Sequence, residues 1–482
     1  MKTLNTNFKT FSLEPSLRYD FNYISFVDSE VATDYLTFSD LFDIRNEKCN
    51  IKDTGDFYYA EIKNVTNSNE VMPILLNFDK QDDDLDNSSL YTKIKANNII
   101  KPSKNDILIP ITRPNLKKYI SIDYDKENYY YTSAFIDLVP KKIPKILYYS
   151  LKDTFYKNLM AVSRIGKGYP TLRQDDLNFI RFSKEKINKL IINEKALNDI
   201  IVKNETEMNS LLKEKKLKAS IINDVFSNYF NYDNNLINMI RKGMTYGTQM
   251  SHNVALNIFT TNFNSLDGKM LRNSVRANSP IFEELEQVIK KSDYLELKEI
   301  LTSAITNGVK PEYSIDGVVP VIKTAYLTND GISDDINEFV TESYYNSKLQ
   351  AQIRLNDILM CNIGKCSCGK IDIKNDDKKA FATTEVMIIR VNEAKYNTKF
   401  LLYFLKSPLG IYQIEKSYTG TTNQIHLNPK DVEHFLIPNI DINEQNKIVE
   451  KIEKSFDKQD LIEREINSKN YLIEKEITRI LN

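Results

Sequence analysis

Between Ser183 and Phe230 the chain contains no Gly and no Pro. Its apolar residues include Leu190, Leu197, Ile201, Met208, Leu211, Ile222, Val225 and Tyr229, at steps of three, four and seven, with Lys, Glu and Asn between them. This spacing predicts an amphipathic helix with coiled-coil character, about 70 Å long at 1.5 Å per residue. The C-terminal segment repeats the pattern. Asp441 and Glu444 form a capping pair, and Ile448, Ile452, Phe456, Ile462, Ile466, Ile473, Ile477 and Ile480 supply the stripe. Neither stripe can be covered by a small domain alone. The two are therefore expected to bury each other in antiparallel packing, with one globule at each end.

The globules are legible as a repeat. Asn105-Asp106-Ile107-Leu108 recurs as Asn356-Asp357-Ile358-Leu359, about 250 residues later. Thr132-Ser133 matches Thr383-Thr384, and the run 145–152 matches 399–406. Leu172, Leu177 and Ile180 match Leu427, Val432 and Phe435, and Tyr35-Leu36 matches Tyr294-Leu295. The matches keep their order and nearly keep their offset. Short apolar runs at 107–110, 135–139 and 386–391 read as strands, and 145–152 and 399–406 as compact helices. The expected fold class is α+β: two pseudo-repeated mixed α/β domains separated by two long antiparallel coiled-coil helices. The expected boundaries are a first domain over 1–182, a spacer helix over 183–232, and a connector without assigned structure over 233–272. A second domain follows over 273–440 and a second spacer helix over 441–482.

Composition narrows the classes. Lys+Arg is 65 and Asp+Glu 66, so a nucleic-acid partner would have to be met by locally concentrated basic residues. Four Cys in 482 residues do not make a disulfide framework, and a reducing cytoplasm is expected. Met1–Phe11 is polar and lacks the apolar core of a signal peptide, and no stretch approaches 18 apolar residues. A rod holding two related globules apart would fix the spacing of two recognition events. On DNA these would be two half-sites that need not be related in sequence.

The run Gly420-Thr-Thr-Asn-Gln-Ile-His-Leu427, then Leu436-Ile437-Pro438, then Ile442-Asn443-Glu444-Gln445, resembles the end of a target-recognition domain in specificity subunits of Type I restriction–modification enzymes. Asn356–Leu359 and Phe400–Leu405 fit the same family, and 294–303 with Gly308 and 319–322 resembles the domain's opening. In the first half Gly168-Tyr-Pro-Thr-Leu172 stands where the loop belongs, but Ser183-Lys-Glu-Lys replaces the Glu-Gln helix start. The resemblance implies a non-catalytic subunit that reads a bipartite target on double-stranded DNA. It implies two methyltransferase partners using S-adenosylmethionine for adenine-N6 methylation, motor-nuclease partners in the full complex, and no cofactor on this chain. Two other readings stay open: the recognition subunit of a Type IIB-like enzyme, and a coiled-coil scaffold with two protein-binding heads.

The chain lacks the motifs of an enzyme. It has no Pro-Pro pair for an amino-methyltransferase loop and no G-x-G-x-x-G. Gly364-Lys-Cys-Ser-Cys-Gly369-Lys370 has phosphate-loop spacing, but position 371 is Ile, and the residues beyond read as strand and turn. Cys361, Cys366 and Cys368 lack a nearby fourth ligand for zinc, and His252, His426 and His434 form no constellation. No catalytic residue and no metal site are expected. The candidate DNA contacts are the loop cations Arg113, Lys117, Lys118, Arg164, Lys167, Arg173, Lys365, Lys370, Lys378 and Lys379. Gln174, Asn423, Gln424 and His426 join them in loops judged equivalent.

Overall fold

The unbroken apolar runs Ile107–Pro110, Ile358–Cys361 and Val386–Ile389 are buried at every position, as strands covered on both faces must be. The structure, a computed structural model, describes residues 34–233 and 280–481 apart from positions 50, 52–54, 67–68, 82–86, 97, 124–126, 167, 329–330, 334, 365–366 and 421–424. Nearly all of the connector expected over 233–272 lies outside the described residues. The chain divides into two units, Met1–Lys215 with Asp460–Asn482, and Lys216–Gln459.

In the first unit an antiparallel sheet runs in the order Phe42–Arg45, Phe135–Pro140, Ile107–Pro110, Ile120–Ser121. A second sheet runs Ile74–Asn77, Asp56–Ala60, Tyr129–Thr132, Ile99–Ile100, and its central pair is parallel. Tyr35–Thr37 pairs with Arg181–Ser183 in a short ribbon. The second unit repeats each feature. Its antiparallel sheet runs Thr306–Asn307, Val386–Ile389, Ile358–Cys361, Ile371–Ile373. Its second sheet runs Phe339–Val340, Val319–Ile322, Ala380–Ala382, Gln352–Ile353, again with a parallel central pair. Its ribbon pairs Tyr294–Glu296 with Leu436–Pro438. A repeat in sequence is thus a repeat in strand order and strand direction.

The recurring Asn-Asp pair is a turn device. Asn105 and Asn356 both adopt left-handed backbone, φ 72° and 66°, a region Asn tolerates better than most residues. The following carboxylates close the turn: Asp106 accepts from the Ser103 N–H at 2.6 Å and Asp357 from the Arg354 N–H at 2.7 Å. Both Asp side chains are almost fully buried. The compact helices Pro144–Lys152 and Thr398–Lys406 present Ile146, Leu147 and Leu151, and Phe400, Leu401, Phe404 and Leu405, to their own units' cores.

The spacer region differs from its expectation. Residues 184–230 are not one rod but three helices, Lys184–Ile192, Glu194–Glu214 and Lys218–Phe230. The break at 215–217 has extended backbone, and the freed Lys216 N–H donates to the Gln459 side-chain oxygen at 2.7 Å. Tyr229, read as part of the stripe, is exposed. The C-terminal helix is one element, Ile442–Leu481.

The expected mutual burial is present within each unit. In the first, Ile462, Ile466, Ile473 and Ile477 share a core with Leu197, Ile201 and Met208. Lys469 pairs with Glu207, and Lys215 with Glu463 at 2.6 Å, so the two segments run antiparallel there. The same stripe also reaches the sheet domain, because Glu205 accepts from Lys145 at 2.8 Å and from Tyr149 at 3.1 Å. In the second unit Ile448, Val449 and Ile452 share a core with Ile222, Val225 and Phe226, and Lys218 lies over the Phe456 ring.

Candidate nucleic-acid interface

In each unit the antiparallel sheet ends in a loop that pairs with a second loop carrying the resemblance motif. In the first unit the loop 111–119 joins Ile107–Pro110 to Ile120–Ser121. It is tied to the hairpin of Arg164–Gly166 and Tyr169–Thr171 by a Thr112–Thr171 bridge and by two backbone bonds. The Arg113 N–H donates to the Pro170 carbonyl at 2.9 Å, and the Leu172 N–H to the Ile111 carbonyl at 2.8 Å. The second unit builds the same junction. Ile363 bridges His426, and His426 bridges Thr419. The Gly364 N–H donates to the Ile425 carbonyl at 3.0 Å, and the Leu427 N–H to the Asn362 carbonyl at 2.9 Å.

This junction gathers some of the candidate residues and not others. Arg113 is exposed, with its guanidinium carbon 5.1 Å from the centroid of the Tyr169 ring. Lys117 lies over the Tyr156 ring at 4.4 Å, and Lys118 follows it, half-buried. Arg173 is exposed just before the short helix Gln174–Leu177, with Gln174 half-buried at its start. Arg164 reaches the same hairpin, but its guanidinium is bound twice by the buried Asp176 carboxylate, at 2.6 Å and 2.6 Å. Its fork is engaged in holding the hairpin to the helix behind it, which leaves less of the charge for a phosphate.

In the second unit Lys370 is half-buried at the end of the 362–370 loop, and His426 is exposed with its backbone paired to Thr419. Lys378 and Lys379 lie elsewhere, on the connection from Ile371–Ile373 to Ala380–Ala382. Lys379 pairs with Glu342 and lies 5.8 Å from the Tyr345 ring centroid, and Lys378 donates its backbone N–H to Asp376 at 2.9 Å. Lys167, Lys365, Asn423 and Gln424 lie outside the described residues, as do Cys366 and His252.

The sequence reading missed the tyrosines. Tyr156 and Tyr169 carry the two loop cations on their rings, and only the Gly168-Tyr-Pro-Thr stretch hinted at one of them. It also missed that Gln445, buried, accepts the Asn397 N–H at 2.8 Å and so fixes the start of Thr398–Lys406. The Glu-Gln motif therefore has a structural partner within its own unit.

The phosphate-loop lookalike is a hairpin turn. It joins Ile358–Cys361 to the antiparallel Ile371–Ile373, so no helix N-terminus follows to receive a phosphate. Among the described residues no group of His, Cys, Asp and Glu could hold a metal ion. Burial pushes the Cys361 thiol up to about 12, which makes it a packing residue and not a nucleophile. No helix among the described residues is long and apolar enough to cross a membrane.

Residues 290–469 match the family model described as the Type I restriction modification DNA specificity domain. No curated protein matches the chain. Among solved structures, the Type I restriction-modification S subunit from M. genitalium is similar at 15% identity over 93% of this chain and 95% of that one, with a TM-score of 0.41. A chain from a study of complex assembly and conformational transition of the type I R-M system is similar at 13% identity, with 93% and 96% covered and a TM-score of 0.35. The HsdS subunit from Thermoanaerobacter tengcongensis is similar at 13% identity, with 93% and 95% covered and a TM-score of 0.29.

Proposed function

We propose, from the match of residues 290–469 to the Type I restriction modification DNA specificity domain, that the chain is the sequence-reading subunit of such an enzyme. One observation carries the reading furthest. The loop-and-hairpin junction inside the matched region has a counterpart in the first unit, on a sheet of the same strand order. Two equivalent edges suit two half-sites, each read from the major groove, where all four base pairs are distinguishable. The recognition domains are assigned to 1–182 and 273–440, and the spacers to 183–232 and 441–482.

The adenine-N6 chemistry and base flipping belong to two methyltransferase partners that hold S-adenosylmethionine, and cleavage to motor-nuclease partners. The chain's own contribution is positional. Loop cations neutralise phosphates and fix register, and side chains at the junctions read base edges. Such work takes place on cytoplasmic DNA. Methylome sequencing of a host expressing the chain with its neighbouring methyltransferase tests the proposal. Methyladenine in an asymmetric split motif is the expected result. Methylation at a continuous motif, or none, would overturn it.

A further inference from the structure

The two junctions share a backbone that only one of them builds from glycine. Residue 113 follows the Thr112–Thr171 bridge, and residue 364 follows the equivalent Ile363–His426 bridge. Both are left-handed, Arg113 at φ 56° and Gly364 at φ 95°. The loops also close on left-handed residues, Lys117 at φ 53° and Gly369 at φ 81°. Counting back from the strand pairs Ile107–Ser121 and Ile358–Ile373 places these two in register. Glycine adopts this conformation freely, whereas a long side chain is disfavoured in it. A bulky residue held there, beside a glycine solution to the same loop, points to work for the side chain.

The side chain of Arg113 is placed for such work. Its backbone is clamped by the bond to Pro170, by the bridge at 112, and by Pro114 behind it. Its guanidinium stands over the Tyr169 ring, and among the described residues it has no carboxylate or carbonyl partner. Arg45, Arg164 and Arg390, by contrast, are held by the carboxylates of Asp106, Asp176 and Asp357. A guanidinium beside an aromatic ring, with no carboxylate to occupy it, has its N–H fork available to a ligand. That fork matches the O6 and N7 acceptors of guanine in the major groove.

We propose that Arg113 is a specificity-determining residue of the first unit, reading a guanine edge, and that the equivalent position of the second unit reads no base because Gly364 stands there. This rests on the proposed function. The test is methylome sequencing of hosts expressing the full chain, its methyltransferase, and either wild-type, Arg113→Gly or Arg113→Lys. The wild-type motif should contain a G·C pair in the half-site set by the first unit. Arg113→Gly should relax that one position, with discrimination falling roughly 10- to 100-fold. The other half-site should stay unchanged, and the purified variant should melt no lower than wild-type. Arg113→Lys keeps the charge but loses the fork, and should relax the same position.

Several results would overturn the inference. They are an unchanged motif in Arg113→Gly, methylation weakened evenly across sites as for a phosphate contact, full specificity in Arg113→Lys, or a lowered melting temperature with loss of all methylation. A wild-type complex that methylates no split motif would instead overturn the function on which the inference rests.

Discussion

Asp106 and Asp357 occupy the same step of equivalent sheets and close the same turn, yet their counter-ions come from different strands. In the first unit Arg45, at the end of Phe42–Arg45, meets Asp106 at 2.6 Å. In the second, Arg390, just past Val386–Ile389, binds Asp357 through two nitrogens at 2.7 Å and 2.6 Å. The first unit also adds a second buried acid, Asp137, 3.5 Å from Arg45. By strand register its counterpart is Ile388, since Ile107 pairs with Leu138 as Ile358 pairs with Ile389. The acid that closes the turn is fixed by backbone geometry, while the cation that neutralises it is free to move. The scaffold is thus held by local turn chemistry, and the surrounding side chains have diverged.

That contrast can be broken by mutation. Asp357→Ala leaves Arg390 without its carboxylate and the Arg354 N–H without its acceptor, and should cost about 3 kcal/mol. Asp106→Ala orphans the Ser103 N–H in the same way, but Asp137 remains beside Arg45, so about 1–2 kcal/mol is expected. Urea denaturation of the two variants decides the matter, and equal losses would mean that Asp137 does not substitute. Next in size is the loop contrast. A Cβ at Gly369 would lie 2.9 Å from both Ile414 Cγ2 and Tyr418 Oη, at a positive φ. Gly369→Ala should cost about 2 kcal/mol. Lys117→Ala, already a non-glycine residue at the equivalent place, should lose only its ring contact, about 0.5–1 kcal/mol. Thermal melts that rank these two the other way would contradict the equivalence.

The second acid makes a smaller, pH-dependent difference. Burial, together with the charge of Asp106, pushes the Asp137 carboxyl up to about 7. An unfolded aspartate titrates near 3.9, so between about pH 4 and pH 7 the folded protein holds a proton that the unfolded chain has lost. Stability therefore falls as pH rises through this window and levels off above it. Asp137→Asn removes the titration while keeping the shape. Its melting temperature should match wild-type near pH 4 and exceed it at pH 8, by roughly 1–2 kcal/mol in stability. A difference that does not change with pH would show that Asp137 is not buried as a titrating acid.

The repeat, the strand runs, the compact helices and the C-terminal helix were legible because each rests on periodicity or on turn residues close in sequence. The break at 215–217 was not. No Gly or Pro marks it, and the bond that satisfies Lys216 comes from Gln459, far along the chain. Arg164 read as an available cation because Asp176, its partner, differs in no sequence-visible way from any other acid near a loop. Lys379 read the same way and is paired with Glu342 across a strand connection. Composition marks where cations stand, and only the fold shows which are already neutralised. The tyrosines under Arg113 and Lys117 were hidden for the same reason, since an aromatic beneath a loop is ordinary core until the loop is placed.

The central claim is that two equivalent units each read their own part of a DNA target. Exchanging residues 1–182 for those of a related chain of different specificity, then sequencing the methylome, tests it most directly. The account predicts that one half-site changes while the other half-site is retained. A chimera that folds, assembles and methylates yet alters both half-sites, or neither, would contradict it.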